Sequence, residues 1–247
     1  MKCLLFVLML ACSAAGATVI DRYTTALDVQ ADGGSQASVT LELKDCQPGR
    51  LVLPVGFGGV DRFQVLAAPD GVVLKLVPGT DNSVVDIELP TGIAESASLR
   101  FAFHAPDVLG HPKAKAGEKL KVAADTQLLR HTFVNTERRV IGAYELLIQL
   151  PPALRVQKIA EQLPRPKRSD LLPRVRLDRF DDRQGATLQL TGIKQGDRTS
   201  VVLNVVPARP SYGWLLAGLA ISLAYLVGFR SLVKTAPSPE GQATQPS

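Results

Sequence analysis

Cysteine is nearly absent. Of the three in 247 residues, Cys3 and Cys12 fall in the N-terminal segment 1–17, which leaves Cys46 alone in the rest of the chain. A lone thiol closes no internal disulfide, so an exported domain of this sequence is held by its core and not by the staples of small secreted scaffolds. N-glycosylation sites are missing too: Asn82, Asn135 and Asn204 all lack Ser or Thr two places on. Both absences fit a bacterial periplasmic domain better than an animal surface receptor. No G-x-S-x-G elbow, no H-E-x-x-H and no phosphate-cradling glycine loop is present, so neither an enzyme nor a cofactor is expected. "LPTG" (89–92) lacks the spacer of a wall-sorting signal and stands far from the C-terminus. Aromatic residues are only 5% of the chain, and none interleaves the basic residues of 165–176, which speaks against nucleic acid as a partner.

Val, Leu and Ala are abundant, and they alternate. "QASVTLELK" (36–44) sets Ala37, Val39, Leu41 and Leu43 against polar neighbours. Residues 61–68, 71–78, 83–90, 96–105, 142–151, 186–193 and 198–207 repeat the pattern, with Gly, Pro, Asp and Asn between them. Period-two runs joined by turn chemistry predict an all-β chain of antiparallel hairpins in a sandwich. "GFGG" (56–59) precedes a strand and predicts a sharp turn or bulge. Residues 109–120, rich in Pro, Gly and Lys, read as a linker between a module at 18–108 and a second at 121–208. One larger sandwich is the alternative. The one stretch outside the C-terminal segment with some helical character is 153–163.

Twenty uncharged residues run from Pro210 to Phe229, with Tyr212 and Trp214 at one end and Arg230 and Lys234 past the other. A helix of about 20 apolar residues spans a bilayer core, with aromatic rings at the headgroups and basic residues on the cytoplasmic side. The segment 210–229 is therefore expected to be a single transmembrane helix, and 230–247 a short disordered cytoplasmic tail. At the other end, Lys2, the apolar run 4–11 and the small residues Ala15, Gly16 and Ala17 form a signal-peptide pattern over 1–17. Leu10-Ala11-Cys12 partly resembles a lipoprotein cleavage box, the alternative reading of that end. The expected topology keeps the bulk of the chain outside the cytoplasm, in contact with the lipid bilayer.

Charge is uneven. Residues 18–209 hold 25 basic against 22 acidic side chains, while 155–176 alone holds seven basic against two acidic. Arg165, Lys167, Arg168, Arg174 and Arg176 form a basic patch suited to anionic lipid headgroups or an acidic partner. His104, Asp107 and His111 lie within eight residues and are the candidate metal ligands, though Pro106 and Gly110 between them fix no ligand geometry. Cys46, before a Pro-Gly turn, is expected near the surface. The function expected from these features is a membrane-anchored binding or assembly module of the cell envelope, partnered by another envelope or membrane protein. The alternative is an envelope enzyme with a metal or hydrolytic site around His104, Asp107 and His111.

Overall fold

The computed structural model describes residues 17–112, 125–163, 175–208, 218–227 and 230. Alternation of apolar and polar residues turns one face of a strand inward, and the first half of the chain follows it. It forms β1 (Val19–Val29), β2 (Ser35–Lys44), β3 (Gly49–Pro54), β4 (Asp61–Ala67), β5 (Val73–Val77), β6 (Val84–Leu89), β7 (Ser96–Ala105) and the short β8 (Leu109–Gly110). The second half forms β9 (Gln127–Val134), β10 (Ile141–Gln149), β11 (Leu154–Leu163), β12 (Val175–Phe180), β13 (Arg183–Ile193) and β14 (Arg198–Pro207). On β2, Ala37, Val39, Leu41 and Leu43 are buried while Gln36, Ser38 and Lys44 face solvent. Residues 153–163 contribute a strand, β11, and not a helix.

Among the described residues the strands form three sheets. A seven-stranded sheet runs β12-β13-β10-β1-β2-β7-β4, a four-stranded sheet β11-β14-β9-β8, and a three-stranded sheet β3-β6-β5. Pairing is antiparallel throughout except between β1 and β10, which run parallel from Ile20 opposite Ile141 to Asp28 opposite Gln149. The expectation of purely antiparallel pairing is corrected at that point. Only a hairpin forces reversal, and β10 reaches β1 from the four-stranded sheet rather than through a hairpin.

The parallel pair joins the two halves. β1 belongs to 18–108 and β10 to 121–208, so the two segments share a sheet, and all the strands lie in one compact unit ending at Ala208. A single hydrophobic cluster gathers Leu41, Leu99 and Phe101 of the large sheet, Leu53 and Ile87 of the three-stranded one, and Phe133 and Leu203 of the four-stranded one. Each such side chain contributes roughly 1.5–3 kcal/mol when fully buried. Cys46 is buried at 6% exposure, and its N–H donates to the Glu95 carbonyl at 3.0 Å. That corrects the surface position expected of it: the turn after Cys46 is exposed, but the thiol packs inward.

Separately from this unit, residues 218–227 are helical and every one of them is exposed. Among the described residues no helix is long and apolar enough to cross a membrane. Apart from 218–227, the expected span at 210–229 lies outside the described residues, as do the signal-like segment 1–16 and the tail 231–247.

Candidate functional site

The most unusual polar group is one that the core encloses. On β9, Leu129, His131 and Phe133 alternate inward, and all three are fully buried. His131 Nε2 lies 2.7 Å from the hydroxyl of Tyr144 on β10. The Tyr144 ring stacks beside Tyr23 of β1, with centroids 5.7 Å apart, and the Tyr23 hydroxyl donates to the Pro54 carbonyl of β3 at 2.9 Å. His131, Tyr144 and Tyr23, with Pro54, thus bring polar atoms of all three sheets to one place. Phe133 packs 4.5 Å from Tyr144 and 5.2 Å from Tyr23, while Phe57 lies 4.9 Å from the imidazole. Ring pairs at such separations attract beyond the area that they bury.

Burial sets the electrostatics. It pushes the His131 imidazole down to about 3, because a charge there would have no water and no counter-ion. Burial likewise raises the Tyr23 and Tyr144 phenols well above the ordinary value. At neutral pH the junction is uncharged. His131 Nδ1 has no hydrogen-bond partner. The tautomer with Nε2–H donating to Tyr144 leaves a bare lone pair there, which costs less than an orphaned N–H. Gly56 makes the close cover possible. Its φ is +81°, and a Cβ on it would lie 2.4 Å from His131 Cε1. The expected turn at "GFGG" is present: Gly56 and Gly59 both take positive φ between β3 and β4, and the Gly59 N–H donates to the Gly79 carbonyl at 2.8 Å.

The residues singled out in the sequence are dispersed. His104, on β7, directs Nδ1 to Asp61 Oδ1 of β4 at 2.8 Å. Asp107 follows β7 in the left-handed region at φ 52° and is exposed. It lines an open depression of about 410 Å³ with Gly56, Asp81, Arg130 and Thr132. His111 is exposed beyond β8. Among the described residues, no three His, Cys, Asp or Glu side chains converge to hold a metal ion. Of the basic patch, Arg176 lies exposed on β12, and Arg165, Lys167, Arg168 and Arg174 lie outside the described residues.

His131 belongs to none of the motifs that the sequence offers, and the structure makes it a core residue of β9. Its signal was the spacing of Leu129, His131 and Phe133, which places the imidazole on an apolar strand face.

No family model matches the chain, and no curated protein does. Among solved structures, the chain is similar to an M1 zinc metallopeptidase from Deinococcus radiodurans (13% identity, TM-score 0.38, covering 76% of this chain and 42% of that one). It is also similar to leukotriene A4 hydrolase from Saccharomyces cerevisiae (12% identity, TM-score 0.42, covering 76% of this chain and 29% of that one). The chain therefore spans less than half the length of either structure.

Proposed function

We propose that this protein is a membrane-anchored, extracytoplasmic β-sandwich module that binds or assembles with another protein of the cell envelope. The observation that carries the reading is the helical stretch 218–227. Leu219, Ile221, Leu223, Tyr225, Leu226 and Val227 are each more than half exposed there, and the stretch bears no charge. A helix apolar all round needs an apolar surrounding, and a lipid bilayer supplies one. Tyr212 and Trp214 before it and Arg230 and Lys234 after it suit the two headgroup regions, with the β-unit outside and the tail inside. The basic residues around Arg168 then lie on the same side as the β-unit, where anionic headgroups or an acidic partner would meet them.

Crosslinking in intact native membranes tests this. The full chain is compared with a variant in which 210–229 is replaced by an unrelated anchor. A reproducible partner retained through the swap places recognition in the β-unit, and a partner lost on the swap places it in the helix. Recovery of the full chain in the soluble fraction, or no crosslinked partner in either form, overturns the reading.

A further inference from the structure

Among the described residues six strands end a sheet: β12 and β4, β11 and β8, β3 and β5. An edge strand presents unpaired N–H and C=O groups, and folds blunt such edges with bulges, short strands, charges or side-chain caps. β4 carries two register shifts against β7, and its Arg62 takes φ 51°. β11 carries two shifts against β14. β8 is two residues long, and its Leu109 N–H donates to the Gly33 carbonyl at 3.0 Å. On β3, the Val52 N–H donates to Glu137 Oε1 at 2.6 Å, and the Val52 carbonyl accepts from Thr136 Oγ1 at 3.2 Å. β12 keeps its register but sets Arg176, Asp178 and Arg179 along its length.

β5 differs from the other five. It pairs with β6 without a shift, from Val73 opposite Glu88 to Val77 opposite Val84. Leu74 and Leu76 pack against the core, while Val73 and Val77 stand 53% and 42% exposed on either side of Lys75. Among the described residues no strand pairs with its other side.

We propose that the free edge of β5 takes up an extended segment of a partner protein as an added strand of the small sheet. That segment carries an acidic side chain opposite Lys75 and apolar side chains opposite Leu74 and Leu76. The pattern is taken from β6, which sets Asp86 opposite Lys75, with Ile87 and Val85 opposite Leu74 and Leu76. A strand arriving on the other side meets the same five side chains, and cross-strand pairing favours the same chemistry. A second copy of this chain is a poor occupant. In the register that overlaps all five residues, two antiparallel β5 strands would set Lys75 opposite Lys75, and like charges directly opposite are destabilising. The inference rests on the binding-module reading above.

Its test uses the full chain in detergent and a capped peptide with the sequence of β6, Val-Val-Asp-Ile-Glu-Leu, read by hydrogen exchange at β5. With peptide at about ten times its Kd, the outward β5 amides slow about tenfold. A peptide with Lys in place of Asp protects less, and Lys75→Glu reverses the preference between the two peptides. Lys75→Glu sets a carboxylate opposite Asp86 and lowers the urea midpoint modestly, so unchanged protection of the β3 and β6 amides without peptide shows that the variant keeps its fold. No protection at about 1 mM peptide overturns the proposal. So does protection indifferent to the charge, protection confined to β12, or self-association that shields β5 without peptide. If β5 fails while membrane crosslinking still captures a partner through the β-unit, the edge assignment falls and the binding-module reading stands.

Discussion

A histidine on an apolar strand face is either left neutral or pulls the structure open, and His131 shows the first outcome at neutral pH. Its folded value of about 3 lies below the ordinary 6.5, so the unfolded chain takes up the proton first. The stability due to the neutral imidazole is complete above about pH 6.5 and is lost as pH falls toward 3, by up to about 1.4 kcal/mol per unit. Between pH 6.5 and pH 5 the chain should lose about 2 kcal/mol that His131→Phe does not lose. Urea titrations of both proteins at the two pH values measure it. The same acid slope in both would place the titration elsewhere. The variant should also be less stable than the parent by a pH-independent amount, because the Tyr144 hydroxyl loses its partner.

Several strands could be read from their alternation, the bulged β4 among them, but β11 could not. The patterns at 36–44, 61–68, 71–78 and 96–105 became β2, β4, β5 and β7. β11 escaped because register shifts between Val156 and Lys158, and between Ile159 and Glu161, move its alternation by one residue each time. The apolar residues Val156, Ile159 and Leu163 then stand at helical spacing. β1 carries a similar shift between Ile20 and Arg22. The cap on β3 was invisible for another reason: Val52 and Glu137 are far apart in the chain and meet only when the sheets assemble. Glu137 also holds Arg139 through Nη1 at 3.0 Å. Glu137→Ala should cost about 1–2 kcal/mol, since it leaves the Val52 N–H without its acceptor. Hydrogen exchange should show the Val52 amide opening faster, with β5 unaffected. An unchanged Val52 rate would mean that the carboxylate does not cap that edge.

The parallel ladder between β1 and β10 puts strands of both segments into one sheet, so the β-unit is expected to open as one cooperative body. Separating the halves would strip Tyr23 from Phe133 and Tyr144, and Phe57 from His131, and expose these rings together. Amides of β2, from the first half, and of β14, from the second, should therefore exchange through one opening of the same free energy. Two distinct openings would show independent modules at 18–108 and 121–208. Composition and period alone were enough for the all-β class, for strands such as β2 and β7, and for the turn at "GFGG", because those depend on neighbours within a few residues. The apolar length of 210–229 was legible for the same reason. Which strands share a sheet, which rings close over His131, and that His104 faces Asp61 depend on contacts between residues distant in the chain. Such contacts are chosen by how three sheets close over one core, and no local pattern in this sequence encodes that choice.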